Sequence, residues 1–410
     1  MFKYFSGKLS PGFMAVYSGR MILTITGQLF GLFLPIFLYQ IFDFNLSWVI
    51  IYYIIRDVLY LFTIPLGCRS IMNKIGLKNS LRLGVIFGSL FYVAFYILEI
   101  TLTNSSFGFS PEVWTFSMLG ASIIILNLNR ISYWVPLHTD MAKFTTKKNR
   151  ARQLSLIAVT QLILGASMPL LAGWIITVSN YGVLFMLGIV IYLVALIPFS
   201  KLPDTKAVYS WSYRKTWKEI FSKKKRNTMI AYAGDGAENM VGAIIWPIFI
   251  WELLNGNYFE VGLISSLIVV ATVALQLVVG KKADKGNKKK MLRYGSWLYA
   301  AGWIIKIFIA TSFQIFITST YHNLVKVFAR TSFDALYYED AADEGHYIDE
   351  YTATREMALS AGRVIMNIFI LILLPFLSIE LTFIFAALAA LSWNFISETD
   401  HEEQTKRLES

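Results

Sequence analysis

Asp235 and Glu238 stand one helical turn apart inside a long apolar run, with Asn239, Gly242 and Trp246 on the same face at helical spacing. Two carboxylates this close in a low-dielectric setting repel, so one of them should hold its proton more tightly. That is the chemistry of a proton carrier, and it marks Asp235 and Glu238, with Asp334, as the expected proton-coupling residues. Three other apolar runs carry comparable stripes. They read Arg20, Thr24, Gly27, Gln28, Gly31; then Asn127, Arg130, Trp134, His138; then His322, Lys326, Arg330, Asp334. Ionisable groups at membrane depth are costly and face a bundle interior, where they mark a pathway or pair with one another. Guanidinium groups clamp carboxylates and phosphates. The expected solute-binding set is therefore Arg20, Gln28, Arg130, Trp134, Asn239, Trp246, Lys326 and Arg330. Cations modestly outnumber anions among these stripes, which points to an anionic or zwitterionic polar solute.

Each stripe also has a purely structural explanation. Lys326, Arg330 and Asp334 are i, i+4 neighbours and can form an internal ion-pair ladder. Arg20 can reach lipid headgroups, and Lys306, near the end of its run, is expected to snorkel and is left out of the site. Arg56 and Asp57, flanked by Tyr52, Tyr53 and Tyr60, read as a structural pair, and Arg363 as a partner of Glu356.

The elements that position these residues are membrane helices. The chain of 410 residues is 56% hydrophobic and only 15% charged, with mean hydropathy +0.55, whereas soluble domains carry roughly a quarter charged residues. Runs of about twenty apolar residues can cross a bilayer. About twelve are expected, at 12–41, 46–67, 81–100, 113–137, 154–176, 181–199, 228–253, 259–280, 291–311, 313–337, 357–377 and 380–397. The first is too long for a signal sequence and is expected to stay as an anchor. Lysine and arginine crowd the segments around Lys3, Arg69 to Arg82, Lys143 to Arg152, Lys201 to Arg226 and Lys281 to Arg293. The loops near Asp43, Ser105, Asn180, Gly256, Thr311 and Ser378 contain neither. By the positive-inside rule both termini are cytoplasmic. The net charge of +11 is thus a topology signal, and nucleic acid is not an expected partner. The single cysteine, Cys68, excludes an internal disulfide and a cysteine-rich metal site.

The chain repeats itself. Leu34-Pro35-Ile36-Phe37-Leu38-Tyr39-Gln40 returns as Trp246-Pro247-Ile248-Phe249-Ile250-Trp251-Glu252, 212 positions later. Residues 1–199 read as one six-helix half and 228–398 as the other, with a basic linker at 200–227 and a polar tail at 399–410. The linker, with Trp211, Tyr213 and Trp217 among its lysines, reads as a tether rather than a lipid-binding helix. Repeats across a membrane chain imply a site between the halves.

A second repeat lies in the loops after the second and eighth runs. Gly280-Lys281-Lys282-Ala283-Asp284-Lys285-Gly286-Asn287-Lys288-Lys289 answers to a degraded copy with Arg69, Asn73, Lys74, Gly76 and Lys78. This pattern, with Arg130 in the fourth run, resembles the major facilitator superfamily, whose loop signature is Gly-x-x-x-Asp-Arg/Lys-x-Gly-x-Lys/Arg. Asn73 stands where aspartate is expected, and the glycine that usually follows the fourth-helix arginine is missing. The resemblance implies an all-α membrane fold of two pseudo-symmetric six-helix halves and a cavity lined by the first, fourth, seventh and tenth helices. It also implies a gating loop of Asn73, Lys74, Gly76, Gly280, Asp284, Lys285 and Gly286.

The expected activity is secondary active transport of a small polar solute by alternating access, coupled to protons, as symport or antiport. Efflux of amphipathic cations by the same fold is the alternative, followed by a non-transporting membrane sensor or enzyme. No cofactor is expected, and no metal, nucleophile or phosphate-loop signature is present in the sequence. The acidic stretch from Glu339 to Glu350 reads as a solvated surface. The partners are the solute, protons and lipid, with one chain sufficient for a cavity, and the expected location is a prokaryotic plasma membrane, crossed many times.

Overall fold

The computed structural model describes residues 10–103, 110–144, 150–204, 209–223, 225–279, 288–343 and 347–396. Gly280, Asp284, Lys285 and Gly286 of the expected gating loop, and the tail, lie outside these. Among the described residues every regular element is helical. The N-terminal set is α1 (Pro11–Phe30), α2 (Phe33–Ile41), α3 (Leu46–Gly67), α4 (Asn73–Thr103), α5 (Pro111–Phe144), α6 (Arg150–Val178) and α7 (Tyr181–Ser200). The short α8 (Tyr213–Ile220) lies in the linker. The C-terminal set is α9 (Arg226–Met240), α10 (Trp246–Leu253), α11 (Tyr258–Val279), α12 (Lys288–Lys306), α13 (Ser312–Asp343), α14 (Ile348–Leu373) and α15 (Thr382–Leu391). In their described parts the expected apolar runs overlap these helices, although the run 291–311 passes the end of α12 at Lys306. Among the described residues six helical stretches are long and apolar enough to cross a membrane, or seven if the bent pair α1–α2 counts as one. The helices α9, α12 and α13, which carry many of the stripe charges, are not among them.

Local chemistry sets the ends. Ser10 caps α1, accepting from the Phe13 amide at 3.2 Å, with Pro11 in the first turn. Asn45 and Asn180 cap α3 and α7 in the same way. Gly76, at φ 77° and ψ 170°, breaks the otherwise continuous helical stretch from α3 into α4. Only a residue without a Cβ takes that conformation at little cost.

The repeat is visible in backbone detail. α1 bends into α2 by 45°, and α9 passes into α10 through a π-helical turn at Val241–Ile245. After α2, Asp43 and Phe44 take positive φ, and the Phe44 amide donates to the Tyr39 carbonyl at 2.9 Å. After α10, Asn255 and Gly256 take positive φ, and the Gly256 amide donates to the Trp251 carbonyl at 2.9 Å. These pairs lie 212 positions apart, the offset of the sequence repeat.

Within the N-terminal set α4 packs on α5 and α7, and α1 on α6 and α7; within the C-terminal set α12 packs on α13 and α15, and α9 on α14 and α15. The two sets meet where α3 packs on α14, α6 on α11 and α2 on α10. At the α6–α11 seam the approach is close enough to require glycine. A Cβ on Gly262 would lie 2.3 Å from the Pro169 carbonyl oxygen, and one on Gly173 would lie 2.4 Å from that of Tyr258. Small residues permit such close helix contact in membranes.

The linker is more than a tether. Tyr209 and Trp211 are buried among Tyr60, Ile64, Cys68, Met72, Ala353 and Met357. Asn73 forms two bonds to the linker backbone. Its Nδ2 donates to the Tyr209 carbonyl at 3.0 Å, and its Oδ1 accepts from the Tyr209 amide at 2.8 Å. An aspartate could only accept, which accounts physically for asparagine at this position. On the other side Ser210 donates from its amide and hydroxyl to Glu350 Oε1 of α14, both at 2.7 Å. Glu350 and Asp349 are therefore buried and bonded, not part of a solvated acidic surface. Asp349 also accepts from Thr139 of α5 at 2.5 Å.

Candidate functional site

A cavity of about 310 Å³ lies between the two helix sets. Gln28, Gly31, Gly165 and Pro169 line it from the N-terminal set, and Glu238, Asn239, Trp246, Lys306, His322 and Lys326 line it from the C-terminal set. Of the expected solute-binding residues, Gln28, Asn239, Trp246 and Lys326 meet here.

Glu238, 1% exposed, is the polar centre of this wall. Its Oε1 accepts from the Tyr299 hydroxyl of α12 and faces Lys326 Nζ of α13 at 3.5 Å. His322 packs against Tyr299 with tilted rings whose centroids are 4.4 Å apart, and meets Trp303 edge-on at 4.7 Å. His322 Nδ1 and Ser319 Oγ are buried and make no hydrogen bond within the protein. Both residues line the cavity, and His322 Nδ1 lies towards Gly302 of α12, where an added Cβ would sit 2.7 Å from it.

Lys306 departs from its expected role. It is 3% exposed and lines the cavity instead of snorkelling. Its Nζ lies 3.8 Å from the Trp246 ring centre and 4.2 Å from that of Trp303. Two indole faces hold the ammonium by cation–π attraction; Trp303 is its i−3 neighbour on α12, while Trp246 of α10 is a partner that spacing along one helix cannot reveal.

One turn along α9, Asp235 accepts from Arg330 of α13 at 2.5 Å, and Arg330 Nε bonds Asp334 at 3.0 Å. The Arg330–Asp334 rung is the expected i, i+4 pair, while Lys326 turns away from that ladder to α9. Asp235 and Glu238 each have their own cation, Arg330 and Lys326. Mutual repulsion of the two carboxylates, the premise drawn from their spacing, is thus offset by a pair of antiparallel rungs between α9 and α13.

Arg130 does not line this cavity. Its Nη1 bonds Asp57 Oδ1 at 2.8 Å, and its guanidinium lies 3.7 Å over the Tyr60 ring. The expected Arg56–Asp57 pair is present at 2.6 Å. Arg363 faces Asp57 at 3.9 Å rather than pairing with Glu356, which instead bonds Arg355 at 3.6 Å. Glu356 and Arg363 are seven residues apart, about 10 Å along a helix, too far for a direct pair. Arg20 lies within electrostatic reach of Tyr133 and His138 of α5, and Trp134 stacks on His138. Neither Arg20 nor Trp134 lines the cavity. Lys74 and Gly76 stand at the start of α4 beside Asn73.

No protein-family model matches the chain, and no curated protein matches it. Solved structures do. The peptide transporter POT in complex with sulfate aligns with a TM-score of 0.66 at 11% identity, covering 97% of this chain and 95% of that one. A D-xylose–proton symporter aligns at 0.62 and 13% identity, covering 95% and 97%. A bacterial homologue of the iron transporter ferroportin, outward-facing with soaked iron, aligns at 0.66 and 13%, covering 95% and 99%. At these identities the likeness is one of fold, and it runs the length of the chain. The chain has the fold of the major facilitator transporters, the family its sequence resembles.

Proposed function

We propose that this protein is a secondary active transporter that moves a small polar solute, anionic or zwitterionic, across a membrane by alternating access. The observation that carries the reading is the cavity between the two helix sets, walled by Gln28 on one side and by Glu238, Lys306 and Lys326 on the other. Two lysines against one glutamate leave this wall net positive, which favours a solute bearing negative charge. Amphipathic-cation efflux is less well supported, because Glu238 and Asp235 both already have cationic partners.

In this reading the chain crosses a plasma membrane twelve times as a monomer, with halves at 1–199 and 228–398 and both termini cytoplasmic. The support is the charge asymmetry of the loops and the 212-residue repeat seen at the ends of α2 and α10. The α2–α10 end then faces outward and the linker end faces the cytoplasm. Asp235, Glu238 and Asp334 carry the coupling proton, each bound to a cation that must be released or exchanged as the proton arrives. A proton symporter among the structural neighbours is consistent with that coupling.

The test is uptake of radiolabelled polar solutes into proteoliposomes under an imposed inward proton gradient, with Asp235→Asn/Glu238→Gln as control. Gradient-driven uptake that disappears in the double variant supports the reading. Uptake unchanged in the variant removes proton coupling from α9, and absence of uptake or exchange for every solute removes the transport reading.

A further inference from the structure

Where α3, α5 and α14 pack together, three guanidinium groups surround one carboxylate. Asp57 of α3, fully buried, accepts from Arg56 at 2.6 Å and Arg130 at 2.8 Å, and Arg363 approaches to 3.9 Å. The side chains of Arg56, Arg130 and Arg363 are 15%, 10% and 15% exposed. Glu356, the other carboxylate on this part of α14, is engaged by Arg355. The cluster therefore carries three positive charges and one negative in a place shielded from water. Buried charge is costly unless matched by opposite charge and hydrogen bonds.

The mismatch extends to hydrogen bonding. An arginine has five N–H donors in a planar fork suited to carboxylates and phosphates. The Nε donors of Arg56 and Arg363 are buried without a partner. So are Asn367 Nδ2 and Ser360 Oγ, which share a face of α14 with Arg363, and Tyr60 Oη, one turn from Arg56 on α3. Asn367, Ser360 and Tyr60 are 1%, 0% and 0% exposed. An apolar core would not collect donors in this way. Arg56 also reaches α9, its Nη2 lying 3.9 Å from Met240 Sδ. Met240 follows Asn239 in α9, and Asn239 lines the cavity, whose wall includes none of Arg56, Asp57, Arg130 and Arg363. It also straddles both helix sets, since α3 and α5 belong to one and α14 to the other.

We infer that Arg56, Arg130 and Arg363 form the seat for an oxyanion, a carboxylate or phosphate group of the transported solute. Asp57 acts as the resident counter-ion that holds the guanidinium groups in place between turnovers. The inference rests on the transport reading for its biological role, but the site itself is a binding site and can be assayed without transport. The solute's anion would draw Arg363 of the C-terminal set towards Arg56 and Arg130 of the N-terminal set. Binding would thereby favour a state in which the two sets are drawn together.

The experiment is equilibrium binding to the purified full chain in detergent at constant ionic strength in chloride. The probes are succinate and inorganic phosphate, with xylose as the neutral control, read by calorimetry and by the shift in melting temperature. Variants are Arg363→Gln, Arg56→Gln and Asp57→Asn, with Arg82→Gln, an exposed arginine, as a variant outside the cluster. The expected result is saturable binding of at least one oxyanion, weakened at least tenfold by Arg363→Gln and by Arg56→Gln and retained in Arg82→Gln. Asp57→Asn removes the competing carboxylate and should tighten binding, an outcome that misfolding cannot imitate. Binding of neither oxyanion to the wild type or to Asp57→Asn overturns the inference, as does equal binding to the arginine variants. Oxyanion binding without uptake in liposomes upholds the seat and overturns only the transport reading.

Discussion

The Tyr39 hydroxyl donates to Glu252 Oε1 at 2.5 Å, joining α2 of the first repeat to α10 of the second. Glu252 is the repeat counterpart of Gln40, the residue after Tyr39, so the bond links near-equivalent positions. Phe44 stacks on Trp251 beside it, with ring centroids 6.1 Å apart. Glu252 is exposed, so the bond is worth about 1 kcal/mol. Tyr39→Phe should shift the balance between closed and open forms of this end roughly fivefold towards open. Distance distributions between spin labels at Trp48 and Phe259 would show it, and an unchanged distribution would remove the bond from the gate.

Asn73 should resist replacement by aspartate, although aspartate is the residue the loop signature expects. Asn73→Asp keeps the acceptor for the Tyr209 amide but loses the donor to its carbonyl and sets a charge against that oxygen. The cost is about 1–3 kcal/mol. Trypsin should then cut the exposed α8 at Arg214 and Lys215 at least several-fold faster. Equal cutting rates in variant and wild type would show that the Asn73 bonds do not hold the linker, leaving that to buried Tyr209 and Trp211 and to the Ser210–Glu350 bonds.

The α9–α13 rungs make a signed prediction. Asp235→Asn leaves Arg330, about a third exposed, with Asp334 alone, and should lower stability by about 2–3 kcal/mol after allowing for solvent. Arg330→Gln in the same chain should restore part of the loss, since no unmatched charge remains. Thermal unfolding of the two single variants and the double gives the coupling energy directly. Simple additivity would mean that the two side chains do not interact.

Gly262 and Gly27 should behave oppositely. A Cβ on Gly262 meets the Pro169 carbonyl oxygen at 2.3 Å, and one on Gly27 meets nothing within 4 Å. Gly262→Ala should prise α6 from α11, at about 1–3 kcal/mol for the overpacked seam. Gly27→Ala should be neutral or slightly stabilising in a helix. Melting temperatures that fall equally in both variants would show that the seam is not tightly packed in the membrane protein.

The sequence was legible where one helix or one repeat carries the information. The offset between Pro35 and Pro247 anticipated the matched turns after α2 and α10, and i, i+4 spacing anticipated the Arg330–Asp334 bond. It was less legible where partners come from different helices. Helical spacing puts Trp303 beside Lys306, but does not say that Trp246 of α10 waits there. Arg363 and Glu356 share a face, yet Asp57, on a helix some 300 positions earlier, is the nearer carboxylate. The linker was misjudged because its basic composition is that of a tether, while its burial rests on two aromatic rings and on Asn73, which composition does not weigh.

The contacts between the helix sets have an electrical consequence. Tyr39 and Glu252 fasten one end of the seam, and Thr139, Asp349 and the docked linker fasten the other. Each fastening has its own bonds, so opening one end does not release the other, and opening both at once costs the sum. A protein arranged in this way insulates. On the proposed transport reading it would pass a bound solute from side to side without offering ions a continuous aqueous wire, so the membrane around it would stay charged.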